Sequence, residues 1–137
     1  MFFNKKEDNN HESEFIKIGA LLIHTAKIDE NYSKKEEEII KKTLVDLGAN
    51  QLKLDSLISK AIQLEENSNQ ILEFTKEIKN LQDPDKIKII KSLWKIIYSN
   101  KDADIYETNL MRRLAGLLYI DSKVMGDIKE EIKKENL

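Results

Sequence analysis

An all-α fold is predicted: about seven helices in a compact bundle, with an internal pseudo-twofold repeat around two buried central helices. Three observations lead there. One proline and four glycines occur in 137 residues, too few to punctuate a chain of short strands. Apolar residues recur at three- and four-residue spacings, and strand-like alternation is absent. The second half of the chain repeats the pattern of the first at a fixed offset of 71 residues, the separation of Glu107 from Glu36. With 40% hydrophobic residues the chain can bury one core, so residues 13–137 are expected to form a single helical domain behind a disordered N-terminal tail, 1–12. The repeat copies are placed at about 13–66 and 84–137.

The first helix is expected from Ser13 to Ile28. Phe15, Ile16, Ile18, Ala20, Leu21, Leu22, Ile23 and Ala26 cover nearly its whole circumference, which places it inside the core. The second, Ser33 to Leu47, carries Ile39, Ile40, Leu44 and Leu47 on one face and is followed by Gly48, suited to a left-handed residue after a helix end. A third from Asp55 to Glu65 and a fourth from Gln70 to Asn80 flank a polar break. Asp83-Pro84 reads as an N-cap and a first-turn proline, opening a fifth helix through Ile87, Ile89, Ile90, Leu93, Trp94, Ile96 and Ile97. That helix is again apolar almost all round and is expected to pack on the first. Helices from Asp104 to Leu118 and from Asp121 to Lys134 complete the seven.

The offset superimposes chemistry as well as core. Ile16 meets Ile87, Leu22 meets Leu93, Ile40 meets Met111 and Leu47 meets Leu118. Polar positions follow: Asp29 meets Asn100, Asn31 meets Asp102, Ser33 meets Asp104 and Glu36 meets Glu107. Two equivalent loops therefore present oxygen donors of the kind that calcium, magnesium or manganese prefers. They are not EF-hands, since the sixth and twelfth places hold Lys34 and Ile40, or Ile105 and Met111, in place of the required Gly and Glu. Ser33-x-x-Glu36 and Asp104-x-x-Glu107 also satisfy the capping-box pattern, and capping accounts for these residues without a metal.

These loops, Asp29-x-x-x-Ser33-x-x-Glu36 and its second copy ending in Asp104-x-x-Glu107, follow a buried helix in each half and resemble those of the TerB-like tellurite-resistance family. Tyr106, Glu107, Leu110, Met111, Arg112, Arg113, Ala115, Leu117 and Leu118 resemble a stretch of that family's uncharacterised bacterial branch. The likeness runs from about residue 15 onward. It implies an all-helical bundle, a cytoplasmic setting linked to stress or tellurite resistance, a divalent-metal role for the acidic loop residues, and no established reaction. The usual Ala-Asp-Gly of the family loop is replaced here by Asp29-Glu30 in one copy and Asn100-Lys101 in the other.

Several function classes are disfavoured by composition. No cysteine is present, so thiol chemistry, disulfides and Cys-type zinc sites are excluded. His11 and His24 lack the spacing of a zinc site, and His24 reads as a core or boundary residue. No glycine-rich phosphate loop, nucleophile elbow or Ser/His/Asp arrangement occurs. A formal charge of −2 gives no net attraction for nucleic acid, and no apolar stretch reaches the length of a membrane span. Lysines 34, 35, 41, 42, 86, 88, 91 and 95 read as solvated helix faces. Arg112 and Arg113 suggest an ion pair with an acidic loop residue, or an anion contact. The resulting expectation is a cytoplasmic, non-enzymatic module that binds an as yet unidentified protein partner. The alternative is a divalent-metal-binding domain using Asp29, Asn31, Ser33, Glu36, Asn100, Asp102, Asp104 and Glu107.

Overall fold

The computed structural model describes residues 11–29, 33–76, 78–99 and 105–135. Among these, seven α-helices and no strand occur: α1 Glu12–Ala26, α2 Lys34–Asp46, α3 Leu54–Glu66, α4 Leu72–Thr75, α5 Asp83–Tyr98, α6 Ile105–Leu117 and α7 Ser122–Glu135. Short 3-10 turns at Lys27–Asp29, Gln51–Lys53 and Ile78–Asn80 join some of them.

α1 is the centre. Phe15, Ile18, Ala20, Leu21, Leu22, Ile23 and Ala26 are buried around its circumference, because α2, α3, α4 and α5 all pack against it. α5 is the second central helix and lies against α1, α2 and α7. One continuous hydrophobic core draws side chains from all seven helices, with Ile40, Leu57, Phe74, Leu93, Met111 and Ile128 among them. α1 and α3 approach closely at Gly19, where a Cβ would stand 3.0 Å from Ala61 Cβ. Trp94 is buried on α5, donates its indole N–H to Met125 Sδ at 3.3 Å and stacks on Tyr98.

The 71-residue repeat is visible in the backbone. Shifting α2 by that offset reproduces the bounds of α6, and α1 and α3 fall on α5 and most of α7. The corners after α2 and α6 also match. Ala49 N–H bonds Leu44 O and Ile120 N–H bonds Ala115 O, both at 2.9 Å; Gly48 N–H bonds Val45 O and Tyr119 N–H bonds Gly116 O. These are the paired bonds of a Schellman helix end, which needs a positive φ at its turning residue. Gly48 has φ 113° and Tyr119 φ 56°. One residue later, Asn50 Oδ1 and Asp121 Oδ1 accept the N–H of Leu52 and Lys123.

Three boundaries differ from expectation. The fourth helix, expected over 70–80, is one turn of α-helix and a separate 3-10 turn, which bury Ile71, Phe74 and Ile78. Gln82, not Asp83, is the residue before α5, and Pro84 sits within its first turn, where the missing N–H leaves no intrahelical bond unmade. Helix α1 begins at Glu12, inside the expected tail; the rest of that tail, residues 1–10, lies outside the described residues.

Candidate functional site

The two predicted loops are only partly within the described residues. Asn31, Asn100, Asp102 and Asp104 lie outside them, and at position 29 only the backbone is described, as the last residue of the 3-10 turn. In the first copy the capping box is formed: Glu36 N–H bonds Ser33 Oγ at 3.2 Å, and Ser33 N–H bonds Glu36 Oε1 at 2.8 Å. Ser33 has the extended backbone an N-cap requires, φ −89° and ψ 166°. In the second copy Glu107 is 4% exposed, as Glu36 is 1% exposed, so the repeat carries a buried carboxylate at the head of both α2 and α6. A buried carboxylate is tolerated only where donors satisfy it, and the amide N–H groups of a first helical turn supply such donors. Among the described residues no group of three or more His, Asp or Glu side chains is placed to hold a metal ion.

Arg112 and Arg113 are exposed on α6, and among the described residues neither makes an ion pair. The acidic loop residues expected as their partners lie in part outside the described residues. His24 is a boundary residue: its Nδ1 lies 3.1 Å from Glu65 Oε2, and since an ionised carboxylate only accepts, that nitrogen carries the proton. Lys27 Nζ donates to the other oxygen of Glu65 at 2.6 Å. Burial pushes the Glu65 carboxyl up, but the hydrogen bonds from Lys27 and His24 outweigh it and hold the group below its ordinary value. The Lys27 ammonium is raised, chiefly by its hydrogen bond to Glu65. This clamp ties the end of α1 to the end of α3, and its partners are 38 and 41 residues apart, beyond any local sequence signal.

The most unusual surface feature is Tyr119, at the corner between α6 and α7. It is 71% exposed in the left-handed region, which costs a non-glycine residue about 1–2 kcal/mol. The Lys79 and Lys86 ammonium groups each lie 5.9 Å from its ring centroid, a separation within cation–π range. Beside it lies a depression of about 280 Å³ that includes Leu72, Lys76, Lys79 and Leu117; Leu72, on α4, is 45% exposed. Sequence reasoning passed over this corner, although the offset that aligns Gly48 with position 119 carries the signal. A glycine-favouring position in one copy is occupied by an aromatic residue in the other.

No helix among the described residues is long and apolar enough to cross a membrane. Neither a curated protein nor a solved structure matches the chain. A family model described as tellurite resistance protein TerB matches residues 15–130, a span that includes most of α1, all of α5, the Ser33–Glu36 capping box and both Schellman corners. The chain belongs to the TerB family.

Proposed function

We propose that this chain is a non-enzymatic protein-interaction module of a stress-related, cytoplasmic assembly, and that it docks its partner at the Tyr119 corner. The observation that carries the reading is a large aromatic ring kept exposed on unfavourable backbone, beside a depression with Leu72 on its edge. Backbone strain of this kind persists where function selects it. Isolated exposed apolar residues are ordinary on any surface, and Leu52 on the 51–53 turn is one. Tyr119 differs because the ring, Leu72 and Leu117 share one concavity rimmed by Lys76 and Lys79. A rigid aromatic anchor with a cationic rim fits a partner segment that combines apolar and acidic side chains. The family's association with tellurite resistance supports the stress setting.

The test places a photo-crosslinking residue at position 72 and repeats the capture with Tyr119→Gly. That substitution removes the ring and leaves the corner's backbone requirement met. One defined protein crosslinked in the parent and lost with Tyr119→Gly supports the reading. A partner retained by that variant, or no specific crosslink, overturns it.

A second reading rests on the buried carboxylates Glu36 and Glu107 at equivalent loop ends: a divalent cation, calcium, magnesium or manganese, held by the acidic loop residues. The oxygen donors suit such an ion in chemistry, although Glu36 Oε1 already accepts from Ser33. Calorimetric titration of chelator-treated protein, with a Glu36→Gln/Glu107→Gln variant as control, tests it. Binding that stabilises the parent and disappears in the variant supports the metal reading, and silence up to millimolar metal removes it.

A further inference from the structure

A second concavity, of about 250 Å³, opens between α2 and α5. Its walls carry Lys42 from α2 and Lys88, Lys91 and Lys95 from α5, and the acid among its lining residues is Asp46. Lys88 approaches Asp85 at 4.0 Å, and Lys91 approaches Glu131 at 3.6 Å, so two of the four ammonium groups have a carboxylate nearby. Lys42 and Lys95 make no ion pair among the described residues. A chain of net charge −2 thus gathers four cations around one opening.

The floor is polar too. Thr43 and Ser92 are buried and their hydroxyls meet across the interface between the two helices. Each also reaches a carbonyl of its own helix, Thr43 to Ile39 O at 2.8 Å and Ser92 to Lys88 O at 3.1 Å. Three contacts share two hydroxyl protons, so one hydroxyl can turn its proton toward an acceptor in the groove while the other hydroxyl's proton keeps the pair bridged.

The repeat shows that the fold does not require this floor. Counting back or forward 71 residues, Thr43 corresponds to Leu114 and Ser92 to Leu21, both fully buried apolar core residues. Asp46 corresponds to Leu117 and Lys91 to Ala20. Each hydroxyl thus stands where the other copy has a leucine, Thr43 in the first copy and Ser92 in the second, and burying the pair is without compensation the less stable choice. Like charges held around an opening repel one another, and an anion seated among them removes that cost.

We propose that the α2–α5 groove binds a small, multiply charged phosphate anion. The ammonium groups of Lys42, Lys88, Lys91 and Lys95 would neutralise it, and one of the paired Thr43 and Ser92 hydroxyls would donate to its oxygens while the other donates to its neighbour. Lysine serves phosphate as a mobile point charge, and the hydroxyls supply direction. The anion's two sources, an inorganic polyphosphate or the phosphate chain of a nucleotide, share this chemistry.

Isotope-labelled protein at near-physiological ionic strength is titrated separately with pyrophosphate, tripolyphosphate and ATP, with sulfate as a control for charge alone. Saturable shifts confined to α2 and α5, tighter for the phosphates than for sulfate, are expected. Equal affinity for tripolyphosphate and ATP identifies the inorganic chain as sufficient, and a preference for ATP identifies a nucleotide; either supports the proposal. Lys42→Gln/Lys95→Gln, which breaks no ion pair among the described residues, should weaken binding at least about tenfold. Thr43→Val/Ser92→Ala should erase the preference over sulfate, and Lys133→Gln/Lys134→Gln at the end of α7 should change nothing. Absence of saturation in the millimolar range, or equal weakening by the α7 variant, overturns the proposal.

Discussion

Replacing Gly48 with alanine tests the structural repeat and the backbone chemistry of both corners together. At φ 113° a Cβ is held in a region L-residues avoid, at a cost of about 1–3 kcal/mol. The unfolded chain loses freedom when glycine becomes alanine, which offsets about 0.4–1 kcal/mol. A net loss of about 1–2 kcal/mol is expected. For a chain of 137 residues the unfolding entropy is about 0.29 kcal/mol/K, so the thermal midpoint should fall by roughly 3–7 °C. The equivalent position is tested by comparing Tyr119→Ala with Tyr119→Gly. Both remove the ring and its two lysine contacts, and they differ only in the backbone. Glycine relieves about 1–2 kcal/mol of left-handed strain and returns about 0.4–1 through the unfolded state, so Tyr119→Gly should be the more stable by roughly 0.5–1.5 kcal/mol. Urea denaturation followed by far-UV circular dichroism reads both differences. Parent stability in Gly48→Ala, or a Tyr119→Ala that equals or exceeds Tyr119→Gly, would refute the equivalence of the corners.

Other substitutions probe the core and the clamp. Leu22→Ala at the centre of α1 should cost about 2–5 kcal/mol and Trp94→Ala about 3–5, read from urea midpoints at constant slope. Gly19→Ala should destabilise by about 1–3 kcal/mol despite alanine's higher helix propensity, because the opposing Ala61 Cβ is fixed to the α3 backbone; adding Ala61→Gly should restore most of the loss. Ser33→Ala removes the acceptor for Glu36 N–H and should cost about 1 kcal/mol by thermal melting. Glu65, held below the ordinary carboxylate value of about 4.3, contributes stability that is full above that pH and is lost as pH falls through its folded value. Glu65→Gln should therefore be less stable at neutral pH, and the gap should close in acid; a gap independent of pH would sink that assignment.

Much of this architecture was legible because it is periodic. The encircling apolar pattern of Phe15 to Ala26 and of Ile87 to Ile97 admits one placement, inside the bundle, and the structure has α1 and α5 in contact there. Capping chemistry is local, so Ser33-x-x-Glu36 fixed the start of α2. The fourth helix was misjudged because Ile71, Phe74 and Ile78 have helical spacing and are buried, yet they sit on two short turns that tertiary packing holds in place. Residues brought together by packing were illegible for a physical reason. Thr43 and Ser92 are 49 positions apart and Lys27 and Glu65 are 38 apart, and each residue alone reads as an ordinary polar position on a helix face.

The two halves serve as internal controls for one another. A feature that both copies keep, such as the buried glutamate at the head of α2 and α6 or the asparagine and aspartate that close the corners, is explained by what the shared fold needs. A feature that one copy abandons at a cost needs a different explanation. Tyr119 gives up glycine's freedom at the corner, and Thr43 with Ser92 gives up two leucines' worth of apolar packing. Both departures open on a concavity with lysines at its rim, and both leave the helices around them in register with the other copy. Selection for stability alone would favour glycine at 119 and apolar residues at 43 and 92. A variant carrying Tyr119→Gly, Thr43→Val and Ser92→Ala is therefore expected to fold with at least parental stability while losing both the partner crosslink and the phosphate preference. Loss of stability instead would mean that these residues are retained for packing.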